Sequence, residues 1–200
     1  MRRALFVFVF AVVSFPRAVW PQGQPVGPEF LVNTYTTGDQ GQPVAAMDSS
    51  GDFVVVWTSL AAQDGSGFGI FGQRYDSSGA SVGPEFPVNS YTTSGQFGPS
   101  VTAAAAAGDF VAVWMSGGQD GSSYGVFGQR FDSSAAPLGP EFLANTFTPA
   151  AQSVPSVGAN ALGQFVVAWS SYGQDGSDYG VFGQRYTPIL PVELMRFGVE

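Results

Sequence analysis

The chain has 200 residues with no His and no Cys, and its seven basic residues are all Arg against fifteen Asp and Glu, for a net charge of −8. This inventory excludes a His general base, Cys and Lys nucleophiles, disulfides and His/Cys zinc sites. With 27 Gly and 14 Pro, turns must be frequent and long helices scarce, while an apolar fraction of 44% suffices for a core.

Met1-Arg2-Arg3 precedes an apolar run from Ala4 to Phe15 that ends at Pro16. A cationic start followed by such a run predicts a secretory signal peptide and leader over 1–25, cleaved between Ala18 and Val26. The run falls short of the ~20 residues a bilayer span needs, so no membrane span is expected in the mature chain. Loss of Arg2, Arg3 and Arg17 leaves four Arg against fifteen acids, a net charge of −11. That charge repels phosphate backbones, so nucleic acid is not an expected partner. The expected location is secreted or at the cell surface.

The rest of the chain repeats itself. Gly-Pro-Glu-Phe begins at Gly27, Gly83 and Gly139, 56 residues apart both times. Phe-Val-x-x-Trp recurs at 53–57, 110–114 and 165–169, Gln-Asp-Gly-Ser at 63–66, 119–122 and 174–177, and Gly-Gln-Arg-aromatic at 72–75, 128–131 and 183–186. Four anchors in one order, three times, define repeats at 27–82, 83–138 and 139–187 within a domain of 26–187, and a tail over 188–200.

In the first copy, strand-like pieces fall at 29–35, 43–47, 52–59 and 68–75, separated by turn-formers. Phe53-Val-Val-Val-Trp57 and its counterparts are apolar without alternation, which predicts a strand covered on both faces. The expected sheet runs from an inner strand at 43–47, through 53–57 and 68–75, to an outer strand at 85–91 lent by the next repeat. The fold class that follows is all-β: three four-stranded antiparallel propeller-type blades, forming an open or incomplete β-propeller after a signal peptide. Ala103–Ala107, the one helix-friendly run, is confined by Pro99 and Gly108 and is read as a degenerate strand and turn.

The run Pro43-Val-Ala-x-x-Asp-x-x-Gly-Asp-Phe53-Val-Val-Val-Trp57, with Gln-Asp-Gly-Ser-x-Tyr-Gly-x-Phe-Gly-Gln-Arg as in 119–130, resembles tandem repeats of large exported bacterial surface proteins. Those are grouped with haemolysin-type calcium-binding exoproteins, and the resemblance, over 27–187, implies propeller-like repeats and carries no catalytic residue. Residues 43–53 more weakly resemble the inner hairpin of NHL-type propeller repeats. Leu190-Pro-Val-Glu-Leu-Met-Arg-Phe197 is similar to the strand preceding C-terminal sorting regions of secreted bacterial proteins.

Closed propellers need about four to eight blades, so three leave apolar sheet faces uncovered. Self-association through those faces is therefore an expected partnership, with the apolar tail as another cover.

Among residues with chemistry to offer, Asp64, Asp120 and Asp175 recur in the Gln-Asp-Gly-Ser loop, at the edge where Asn33, Asn89 and Asn145 are also expected. Such oxygen donors suit Ca²⁺, the one cofactor the sequence suggests. Tyr124, Tyr172 and Tyr179 beside the loop could instead stack on a surface glycan. Turn chemistry alone equally explains Asp-Gly there, with the carboxylate bonding amides two residues on. Asp48-Ser-Ser-Gly51-Asp52 hints at a second calcium loop, but its counterparts at 105–109 and 160–164 lose acids, which favours a plain turn.

Arg74, Arg130 and Arg185 are expected to pair with acids such as Glu29, Glu85 or Glu141, since a half-buried charge needs a partner. Trp57, Trp114 and Trp169 are expected core. The expected function is a structural or adhesive module without catalytic activity. A calcium- or glycan-binding module is the alternative, and a glycoside hydrolase a distant one. Identically repeated acids argue against an acid–base pair, whose members need unlike environments.

Overall fold

A computed structural model of the protein describes residues 23, 25–104 and 108–188. The expected signal peptide, residues 105–107 of the alanine run and the tail from Ile189 lie outside the described residues. The chain divides into two units, Met1–Phe30 and Leu31–Glu200. In the first, the described residues form neither strand nor helix. No helix among the described residues is long and apolar enough to cross a membrane.

The second unit is all-β, with three antiparallel sheets. The first sheet runs β1 (Gln40–Met47), β2 (Phe53–Ser59), β3 (Gly69–Tyr75), β4 (Ser81–Pro87). The second runs β5 (Gln96–Ala103), β6 (Phe110–Gly117), β7 (Tyr124–Phe131), β8 (Phe142–Leu143). The third has β9 (Gln152–Ala159), β10 (Phe165–Tyr172) and β11 (Tyr179–Tyr186). None is closed on itself.

β-Branched and aromatic residues make the central strands, and the turns carry the glycines. Trp57, Trp114 and Trp169 stand opposite Phe71, Phe127 and Phe182. Each first strand is bulged near its start, where Gln42, Gly98 and Val154 take positive φ of 54°, 63° and 52°. One extra residue there twists the strand locally.

The core lies between sheets. Val54, Val56 and Ile70 of the first pack with Phe110, Ala112, Trp114 and Phe131 of the second. From the other face of the second sheet, Val111, Val113 and Val126 pack with Phe165, Val167 and Trp169 of the third. The alternating residues of β6 thus serve two different cores, which is why Phe110–Trp114 is apolar without interruption.

Three expectations need correction. Among the described residues the third sheet has three strands, not four, and no strand pairs with the outer edge of β11. The lent strand begins earlier than residues 85–91, since Ser81 already pairs with Tyr75. Double coverage is also not shared by every unit: Val166 on β10 is 44% exposed, with no sheet on its outer side among the described residues, whereas Val111 is fully buried.

Candidate functional site

The Gln-Asp-Gly-Ser loops join the second and third strands of each sheet. Oδ1 of Asp64, Asp120 and Asp175 accepts the N–H of Ser66, Ser122 and Ser177 at 3.0, 3.0 and 3.1 Å. Gly65, Gly121 and Gly176 take φ near +90°, which glycine adopts without a steric penalty. The second oxygens of Asp64 and Asp120 are buried without a protein partner, beside Gly69 and Gly125. Among the described residues the Nε1 of Trp57, Trp114 and Trp169 has no hydrogen-bond partner either.

The asparagines do not join them. Asn89 and Asn145 are buried, accept the N–H of Ile70 and Val126 at 2.6 and 2.7 Å, and donate to the carbonyls of Tyr91 and Phe147. Asn33 donates to the carbonyl of Tyr35. Among the described residues no three acids gather to hold a metal ion. The side-chain oxygens of Asn89 and Asn145 are spent on strand amides and are not free for a cation.

Tyr124 meets Phe97 edge-on at 5.3 Å, and Tyr172 meets Tyr179 in the same way at 5.2 Å.

The glutamates hold loops rather than arginines. Glu85 accepts from the N–H and hydroxyl of Thr34, at 2.7 and 2.9 Å, and from the amide of Gln63. Glu141 repeats this with the N–H and hydroxyl of Ser90, the N–H of Tyr91 and the amide of Gln119. Burial raises the Glu85 pKa, but these hydrogen bonds outweigh burial and hold it below the ordinary value. The expected pairing with arginine fails because the β3–β4 register shifts between Gly72 and Arg74, and Arg74 stands opposite Val82 instead. Glu29, in the first unit, makes no ion pair among the described residues. Arg130 lies 5.7 Å from the ring centroid of Phe165; burial lowers its pKa and nearby Asp109 opposes that.

At the opposite end of the sheets, the β1–β2 and β3–β4 turns are tied together. Asp48 Oδ1 accepts the N–H of Ser50 and Asp52, and Asp52 Oδ1 accepts that of Ser77 at 2.8 Å. In the next repeat Asp109 Oδ1 accepts the N–H of Ser133 at 3.1 Å. Asp48, Asp52, Asp109, Arg74, Tyr75 and Phe110 line a cleft of about 280 Å³ between the first and second sheets. Among the described residues, the second carboxylate oxygen of each of these aspartates has no protein donor. Arg74 makes no side-chain hydrogen bond or ion pair among the described residues; its charge helps lower the Asp132 pKa, after the hydrogen bonds from Ser134 and Ala136. Ring pairs Phe53–Tyr75 and Phe110–Phe131, each stacked at 4.8 Å, flank the cleft from its two sheets.

Sequence reasoning read Asp48 and Asp52 as turn residues and Arg74 as a structural partner of glutamate. Both aspartates do make the turns with one oxygen each. The missed signal was that this combination occurs once: Asp48 aligns with Ala105 and Asn160, and Asp52 with Asp109 and Gln164. On the outer face of the third sheet, Asn160, Gln164, Arg185 and Tyr186 line an open cavity of about 670 Å³.

No family model matches the chain, and no curated protein does. Solved structures similar to it include an endo-arabinase from Bacteroides thetaiotaomicron, at 16% identity and a TM-score of 0.43 over 76% of this chain. An endo-1,4-beta-xylanase from the same organism is similar at 11% identity and a TM-score of 0.42 over 74% of this chain. The chain covers 56% and 60% of those two structures. Both are named as enzymes, and on that finding the expectation of a structural or adhesive module without catalytic activity is corrected. The likeness assigns no residue of this chain a role.

Proposed function

We propose that the protein is an exported, carbohydrate-active module of propeller-type blades, which binds a glycan in the cleft between its first two sheets. The observation that carries this reading is the cleft itself. It offers three carboxylate oxygens as acceptors for sugar hydroxyls, a guanidinium as a donor, and aromatic rings at its walls. A concave site with a few convergent polar groups is the usual form of a small-ligand site, and its volume suits about one sugar ring. Asp48 aligns with Ala105 and Asn160, so the three acids are not an identically repeated set, and the objection that repeated acids cannot divide acid and base roles does not apply to them. Glycoside hydrolysis by two of Asp48, Asp52 and Asp109 is the activity this arrangement would support.

The test is calorimetric titration of the full chain with a panel of soluble polysaccharides, arabinan and xylan among them, together with release of reducing ends. Binding should fall at least about tenfold in Arg74→Ala, a loss of ~1.4 kcal/mol. Turnover should be lost in an Asp→Asn variant at 48, 52 or 109 that still binds. Absence of binding across the panel, or binding unchanged in Arg74→Ala, would reject the cleft as the site.

A further inference from the structure

Each of the first two sheets is completed by a strand from the next repeat, through one set of contacts. At the first junction the Val88 N–H donates to the Ile70 carbonyl at 2.8 Å, and Asn89 Oδ1 accepts the Ile70 N–H. At the second, the Ala144 N–H donates to the Val126 carbonyl at 2.7 Å, and Asn145 Oδ1 accepts the Val126 N–H. Phe86 lies on Gly72 and Phe142 on Gly128, so close that an added Cβ would come within 2.7 and 2.5 Å of the ring. Glu85 and Glu141 then reach past the sheet to Thr34 and Gln63, and to Ser90 and Gln119.

The third sheet carries the receiving half of this junction and, among the described residues, no giving half. Val181, which aligns with Ile70 and Val126, is 82% exposed and bonded by no lent strand among the described residues. Among the described residues no ring lies on Gly183, and no carboxylate bonds Thr146 or Gln174. The giving half stands at the other end of the sequence. Residues 27–33 read Gly-Pro-Glu-Phe-Leu-Val-Asn and form no strand. Asn33 already holds the junction turn, donating to the Tyr35 carbonyl at 2.8 Å as Asn89 does to Tyr91 at 2.9 Å. Its Oδ1, the atom that receives a strand amide at both junctions, has no donor among the described residues.

We propose that residues 27–33 of one copy add as a fourth strand along Tyr179–Tyr186 of a second copy, with the same exchange in return. Two copies then close an assembly of six sheets, within the range of about four to eight that closed propellers use. An open strand edge with unpaired N–H and C=O groups is a template for such addition. Glu29 bonds Thr146 and Gln174 of the partner copy, Phe30 covers its Gly183, and Asn33 accepts the N–H of its Val181. The exposed outer residues Val166, Tyr172 and Val181 are covered in the process. Ring closure rests on the blade reading above; the strand exchange and the glycan cleft are independent of each other.

Light scattering with size exclusion, on the full chain at micromolar concentration, should find one species of two chains. Glu29→Arg and Asn33→Ala should each raise the dissociation constant at least about tenfold, at positions that carry no monomer core. Val181→Pro removes the N–H that points to the open edge and should act from the receiving side. A mixture of Glu29→Arg and Val181→Pro chains keeps one native junction and should associate more tightly than either alone. Glycan binding in the cleft should be the same in the Glu29→Arg monomer. A monomer, any stoichiometry other than two, or a dimer indifferent to both Glu29→Arg and Asn33→Ala overturns the proposal.

Discussion

The second and third sheets have nearly the same central strand, Phe110-Val-Ala-Val-Trp114 against Phe165-Val-Val-Ala-Trp169, yet differ in what covers them. Val111 and Val113 are fully buried, whereas Val166, the counterpart of Val111, is 44% exposed. The residues on the other face, Phe165, Val167 and Trp169, stay in the core between the sheets. The environment of a side chain here is set by which neighbour its sheet has, not by the side chain itself. A repeat array can therefore place one sequence in two physical situations.

Substitutions that remove buried volume should show this contrast most strongly. Trp114→Ala, at the centre of a fully packed face, should cost about 3–5 kcal/mol in urea denaturation. Val111→Ala should cost about 2 kcal/mol and Val166→Ala under about 0.5 kcal/mol in the Glu29→Arg background, where no second copy contributes. Equal costs at the two valines would break the comparison.

A smaller contrast lies at the junctions. Asn145→Ala strands the buried N–H of Val126 and should lower stability by about 1–3 kcal/mol, whereas Asn33→Ala in the same background should stay under about 0.5 kcal/mol. The same denaturation curves measure both.

The smallest effect is a pH dependence. Because Glu85 has a folded pKa below its ordinary value, its contribution is fully present above about pH 4.3 and is lost as pH falls through the lower folded value. Asp132, held down by the Ser134 hydroxyl, Ala136 N–H and Arg74, acts in the same direction. Melting temperature should therefore be flat from neutral pH to about pH 5 and drop below about pH 4. Glu85→Gln should shallow that drop, and a fall of equal steepness in the variant would remove Glu85 from the account.

Much of this architecture was legible in the sequence, because recurrence at a fixed interval needs no knowledge of contacts. The strand lent across the repeat boundary could be read from the position of Gly-Pro-Glu-Phe after Gly-Gln-Arg. The partners of Glu85 and Arg74 could not, since the register shift between Gly72 and Arg74 decides them. Nor could the cleft, which needs Asp48 and Asp52 of one repeat beside Asp109 of the next, two turns separated by more than fifty residues. Asp64 shows a third kind of limit: a turn and a ligand site call for the same residues in the same order, and only the hydrogen-bond partners tell them apart.

The strand lent across each boundary also separates the period of the gene from the unit that folds. Excising residues 27–82 would remove a whole period yet cut one sheet apart, whereas a fragment from Gln40 to Asn89 keeps all four strands of the first sheet together. Deleting or duplicating one whole period, wherever the breakpoints fall, rejoins giving and receiving halves of the same kind. Copy number can thus drift without any intermediate losing a junction, and the count of sheets per chain becomes the most easily altered property of such a molecule.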